Sequence, residues 1–285
     1  MNKFIKSVII IVLCLLSVSS FAGGGWTQKK GKGFFKLGFW WINSDRYYTP
    51  NGQIIPIVTT GIYNTSIYGE YGFTDRLTGV VYLPFFSRAT LNEQVAASTG
   101  ELLAPGDASN TIGDTDISLK YGLIQNKPFV LSATLTLGLP LGSPTGGDTK
   151  VLQTGDGEFN QMITLDASRS FGKVPVYISA SVGFNNRTEN FSDEIRIGAE
   201  AGYTFKQKLT LIARIYNLSS LENGDDSETQ ANGVFSNNTE FFTFSPEVVY
   251  NFNEQWGASV SYGKAFSGKR ILASPSYSFG VFFKL

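Results

Sequence analysis

The chain predicts an all-β protein, a single transmembrane antiparallel β-barrel of 12 strands with short periplasmic turns and longer extracellular loops. Three observations carry this expectation. Apolar residues alternate with small or polar ones over segment after segment, the connections between those segments alternate in length, and the final residues form an aromatic strand. A strand with lipid on one side and a wet interior on the other needs that period of two.

Composition narrows the alternatives. Of 285 residues only 16% are charged, with 31 Gly, 23 Phe and 13 Tyr, whereas a soluble domain carries about 25% charged residues. There is no histidine, which removes the commonest general base, the Ser-His and Cys-His nucleophile pairs and most zinc sites. No enzyme, cofactor or metal is expected. Lys and Arg number 23, as do Asp and Glu, so nucleic acid is not an expected partner.

Residues 1–22 read as a secretory signal, with Lys3 and Lys6 before the apolar run Val8 to Leu16, and Ser20 and Ala22 at the small-residue cleavage positions. Cleavage after Ala22 would remove the one cysteine, Cys14, and leave residues 23–285 as the barrel with a formal charge of −2. Nothing after Ala22 has the roughly 18 apolar residues in a row of a transmembrane helix.

The cleanest alternation runs from Glu194 to Phe205. Ile195, Ile197, Ala199, Ala201, Tyr203 and Phe205 form one face, opposite Glu194, Arg196, Gly198, Glu200, Gly202 and Thr204. A helix would scatter those charges around its circumference. Val174 to Phe184 and Phe129 to Leu139 repeat the pattern.

With Gly, Asn, Asp and Pro clusters as punctuation, strands are expected at 32–43, 61–73, 76–87, 113–124, 128–140, 157–170, 175–186, 194–206, 208–219, 239–252, 255–266 and 274–285. Short connections come at Thr74-Asp75, Gln125 to Lys127, Gly172-Lys173, Gln207 and Asn253-Glu254. Long ones come at 44–60, 88–112, 141–156, 187–193, 220–238 and 267–273. Short turns toward the periplasm and long loops outward are the asymmetry of a bacterial outer-membrane barrel. Tyr71, Phe73, Phe171, Tyr203, Phe205, Phe252 and Trp256 then form an aromatic girdle at the periplasmic interface. A secreted β-sandwich, the competing all-β reading, gives no reason for aromatics to gather at turns.

In the last strand Tyr277, Phe279, Val281, Phe283 and Leu285 alternate around Gly280. This ending resembles the carboxy-terminal strand by which bacterial outer-membrane proteins are recognised for insertion, with Leu285 in place of the usual Phe. The resemblance implies that outer-membrane lipid and the barrel-insertion machinery are partners.

Twelve strands enclose a lumen wider than an eight-stranded barrel and narrower than a general porin. By parity the interior receives Lys36, Glu70, Asp116, Lys120, Asp166, Glu194, Arg196, Glu200, Arg214 and Glu247, with Trp40, Tyr68, Tyr82, Tyr177 and Tyr216. Four bases and six acids point to internal ion pairs rather than a filter of one sign. Those charges fill the barrel in one reading. In the other, the aromatics with Arg196 and Arg214 make a polar-tipped track for a small hydrophobic solute; Lys36, Trp40, Tyr68, Tyr82, Lys120, Arg196, Glu200, Arg214 and Tyr216 are the candidate path.

The acids of the loop at 141–158 and of the loop holding Glu222, Asp225, Asp226 and Glu228 are isolated, and their spacing fits no calcium loop. Both read as solvated.

The stretches EYGFTDRLTGVVYLPF from Glu70, GDTDISLKYGL from Gly113, LGLPLGSPTGGD from Leu137 and TGDGEF from Thr154 are similar to those of the meta-pathway phenol-degradation proteins, outer-membrane barrels grouped with fatty-acid and aromatic-hydrocarbon channels. The resemblance implies passive uptake of small hydrophobic or aromatic compounds; the alternative is a structural or surface-interaction barrel with a closed lumen. Fatty-acid channels carry an amino-terminal plug, and only about nine residues separate Gly23 from the first strand here. An inward-folded loop, 88–112 or 220–238, is therefore expected to gate the lumen. Oligomeric state is not encoded in any of these features.

Overall fold

The structure, a computed structural model, describes residues 24–172, 174–225 and 235–285. The expected signal, residues 1–22, lies outside them, as do Lys173 of one short turn and the middle of the loop at 220–238, with Asp226 and Glu228.

Twelve strands form the wall: β1 (Gly33–Tyr48), β2 (Ile54–Gly72), β3 (Leu77–Leu91), β4 (Thr115–Ile124), β5 (Phe129–Leu139), β6 (Asn160–Phe171), β7 (Val176–Arg187), β8 (Glu194–Phe205), β9 (Leu209–Ser220), β10 (Glu240–Asn251), β11 (Trp256–Lys269) and β12 (Ser276–Lys284). Each pairs antiparallel with its sequence neighbours, and β1 pairs with both β2 and β12, so the sheet closes and no spanning strand has a free edge. Closure runs from Phe34 opposite Lys284 to Ile42 opposite Ser276.

Outward positions are apolar and exposed, among them Leu37, Phe39, Ile117, Leu119, Ile163, Ile197 and Val260. At about 25 cal/mol per Å² such a belt is stable only against hydrocarbon, so this is the lipid face of an outer-membrane barrel. The girdle stands at the short-turn end as contacting pairs: Tyr71 with Phe73 (ring centroids 5.6 Å apart), Tyr203 with Phe205 (4.3 Å), Tyr250 with Phe252 (5.7 Å) and Trp256 with Phe283 (4.9 Å). The terminal residues complete the seam: Tyr277 stacks on Trp41 of β1, and the Leu285 N–H donates to the Gly33 carbonyl at 2.9 Å.

The largest departure from the sequence reading is the first long loop. Residues 44–60 are mostly strand: β1 and β2 stay paired up to Tyr48 opposite Ile54, joined by a turn in which Gly52 has φ 76°. The run Ile54 to Thr60 hides this, because it does not alternate and contains Pro56, which the structure accommodates opposite Arg46 beside a register shift. Short strands also add to the wall outside the membrane: Asp107–Thr111 on β3, and Ile271–Leu272 on β1. A separate hairpin pairs Gln94–Val95 with Leu102–Ala104.

Candidate functional site in the barrel interior

Parity along the strands sends the charged and aromatic residues named above inward, and the stagger between strands sorts them into three groups. At mid-height one network joins five strands. Glu247 of β10 accepts from the Lys36 ammonium at 3.4 Å and from the Arg214 guanidinium. Arg214 also pairs with Glu200, which accepts from the Tyr177 hydroxyl at 2.5 Å. Lys36, Arg214, Glu247 and Glu200 therefore cancel in charge across the lumen.

Beside this network lies a cavity of about 350 Å³ under the β1–β3 and β9–β12 wall. Phe34 stacks on Phe282 with centroids 5.2 Å apart, Tyr68 meets Phe34 edge-on at 6.2 Å, and Ile212 and Val249 pack against them. Lys36, Trp40, Tyr68, Tyr82 and Arg214 all line this space, with small residues Gly38, Ser66, Ser259 and Ser278 leaving the room. Five of the nine expected path residues thus share one cavity, and Glu200 joins it through Arg214.

The other three go elsewhere. Arg196 pairs with Glu194 at 2.7 Å near the extracellular end, and Tyr216 is its neighbour. Glu194 is the centre of that group, also taking Arg187 at 2.9 Å and the Asn185 amide at 3.2 Å. Lys120 donates to the Gly24 carbonyl at 3.0 Å.

That last contact belongs to a feature the sequence reading missed. Residues 24–32 fold back inside the barrel and cross its periplasmic end. The segment leaves β1 held by Gly31 N–H on the Gly72 carbonyl. Gln28 then donates its side-chain amide to Glu70 at 2.7 Å and its backbone N–H to the Thr78 hydroxyl oxygen at 2.9 Å. Trp26 stands edge-on to Tyr177 at 5.7 Å, and the Gly25 N–H reaches Ser168 at 2.8 Å. The two glycines make this possible. A Cβ on Gly24 would lie 2.4 Å from the Ser168 hydroxyl, and one on Gly25 2.7 Å from the Asp166 carbonyl. A run of Gly followed by Trp was the available signal; only nine residues can plug one side of a narrow barrel, although they would not fill a wide one. Lumen obstruction is therefore not confined to the loops expected to gate it.

At the extracellular end the β5–β6 loop, 140–159, folds inward. Leu152, Gln153, Thr154 and Glu158 are buried. Glu158 accepts from Arg187 at 2.7 Å and from the Thr188 N–H at 2.9 Å, and Asp156 takes Arg187 at 2.9 Å. Asp114, from the β3–β4 connection, accepts the Gly142 and Asp156 N–H groups at 2.8 and 2.9 Å. Burial raises the Asp114 and Glu158 carboxyls above the ordinary range, and burial together with the Asp114 charge lifts Asp156 to about 6. Asp107 behaves oppositely: bonds from Thr149 and neighbouring backbone N–H groups hold it at about 2. These loop acids are thus structural members, not the solvated turn expected from sequence.

Comparison with known proteins agrees with this architecture. The family model described as "Putative MetA-pathway of phenol degradation" matches residues 48–279. Among solved structures, an outer membrane channel from Pseudomonas putida F1 aligns with TM-score 0.63 at 12% identity, covering 94% of this chain and 100% of that one. The NanC porin aligns at TM-score 0.50 and 11% identity over 87% and 100% of the two chains. The translocator domain of the autotransporter NalP from Neisseria meningitidis aligns at 0.50 and 8% over 99% and 96%. At these identities the likeness is one of fold. No curated protein sequence matches the chain.

Proposed function

The chain belongs to the family described as the putative MetA pathway of phenol degradation, and from that premise we propose that it is an outer-membrane channel for passive uptake of small hydrophobic or aromatic solutes. The carrying observation is the mid-lumen cavity of about 350 Å³, lined by an apolar layer of Phe34, Tyr68, Phe282, Ile212 and Val249 and, two residues further along the same strands, by the Lys36–Glu247–Arg214 network. Its size is at the low end for ligand sites, and its mix of aromatic wall with few polar groups suits a ring bearing one polar substituent. Charge cancellation within the network disfavours a filter for ions of one sign. The absence of histidine supports a non-enzymatic role.

A second reading has its own support. The amino-terminal segment and the paired charges obstruct the lumen, as a closed structural barrel requires. Liposome swelling and single-channel conductance of the refolded protein, with phenol, toluene-like aromatics, small sugars and salt compared side by side, separate the two. Faster flux of aromatics than sugars supports uptake through the cavity; no flux and no conductance supports the closed barrel. Tyr277, Phe279, Gly280, Phe283 and Leu285 form the edge that closes on β1, and we read them as the segment presented to the insertion machinery.

A further inference from the structure

The β5–β6 loop is seated by a pair of carboxyls. Asp114 accepts the Gly142 and Asp156 N–H groups of the loop at 2.8 and 2.9 Å, which brings the Asp156 carboxyl up against the Asp114 carboxyl. Two carboxylates held side by side repel, so ionising both is costly and one proton taken up between them relieves the repulsion. The surroundings favour that proton. Among the described residues Asp156 and Glu158 of the loop and Glu194 of β8 pair with Arg187 of β7, Glu194 pairs also with Arg196 of β8, and Asp114, Asp193 and Asp116 add three further acids, Asp193 toward Arg187 and Asp116 toward Arg196. Asn160 of β6 and Asn185 of β7 complete the packing as neutral groups.

We propose that the β5–β6 loop is a lid that proton uptake by the Asp114–Asp156 pair seats in the extracellular mouth, so that acid closes the barrel from outside and neutrality loosens it. The closure rests on the channel reading; the seating does not. The sign follows from the seated state holding its proton more tightly than the free loop. Seating is fully favoured below the ordinary aspartate range near pH 4 and is lost as pH rises through about 6, the value for Asp156. The outer anchor does not follow this course. Asp107, at about 2, stays ionised and keeps Thr149 throughout.

The test uses the full refolded chain at pH 5 and pH 7.5, by hydrogen exchange corrected for intrinsic rate and by single-channel recording in planar bilayers. Amides of residues 142–156 should be more protected at pH 5, and the ratio of closed to open time should rise roughly tenfold. Asp156→Asn supplies an amide N–H to Asp114 in place of the proton, so its loop should be protected and its channel mostly closed at both pH values. A Thr111→Cys/Thr154→Cys pair, built where the two hydroxyls are 2.5 Å apart, should hold the closed level at pH 7.5 when oxidised and release it on reduction. Equal loop protection at both pH values in the wild type, or an unaltered pH response in Asp156→Asn, overturns the proton switch. Conductance unaffected by the oxidised tether overturns the lid. A pH-dependent loop on a barrel that never conducts refutes the channel reading and leaves the switch standing.

Discussion

Removing Arg214 is the sharpest probe of the interior. Arg214 bridges Glu200 and Glu247, whose side chains are 18% and 9% exposed, while its own is 36% exposed. In Arg214→Ala, Glu247 keeps Lys36 at 3.4 Å and Glu200 keeps the Tyr177 hydroxyl, so neither acid is stripped of every partner. Breaking one side of a fully buried pair costs about 3–5 kcal/mol. A wet lumen screens that, and partners remain, so the expected loss is about 1–2 kcal/mol. Urea unfolding of the refolded barrel reports it, and a double-mutant cycle with Glu247→Gln should show a coupling of about 1 kcal/mol. The same substitution deletes one positive charge from a network that otherwise sums to zero, which should shift conductance toward cations and enlarge the cavity. A variant with unchanged unfolding, unchanged ion selectivity and unchanged aromatic flux would refute both the structural and the conducting assignment of the network.

The other perturbations act at the two ends of the lumen. Deleting residues 24–31 should leave a folded barrel, judged by heat-modifiable migration, whose single-channel conductance exceeds that of the intact chain; equal conductance would mean that the segment does not obstruct the path. Gly25→Val should approach the deletion phenotype in the same recording, because its side chain has no room beside the Asp166 and Val130 carbonyls. Phe279→Ala removes an outward aromatic of the closing strand and should slow barrel assembly in lipid vesicles, measured as the rate at which the folded band appears, with little effect on the conductance of molecules that do assemble.

How much of this was legible in the sequence depends on whether a feature is local. Period-two alternation assigns facing residue by residue, and it placed Lys36, Arg214 and Glu247 inside correctly. Which of them touch depends on stagger around the closed sheet: Lys36 and Glu247 are 211 positions apart, and no local pattern encodes their meeting. The first loop was misread because Ile54 to Thr60 carries β-branched residues without alternation. Outside the membrane, where β1 and β2 continue to pair, no lipid face enforces the period. The loop acids looked solvated because each is isolated in sequence. Only folding brings Asp114 to Asp156 across 42 positions and Asp156 to Arg187.

The three interior groups also explain why an almost neutral chain places so many charges where they are costly to desolvate. A lumen lined only by the aromatic wall would collapse onto itself or retain hydrophobic cargo, whereas unpaired charges would draw ions and water and exclude that cargo. Paired charges in the layer next to the aromatic one leave that aromatic layer free for a ring while giving its polar substituent several exchangeable partners. Passage requires binding strong enough to enter and weak enough to leave. The arrangement therefore predicts that Glu247→Leu, which extends the apolar wall and frees Lys36 and Arg214 from their shared partner, should tighten retention of a phenol probe and slow its release in flux assays. Faster release of the same probe from Glu247→Leu would show that the network is only filler for the barrel.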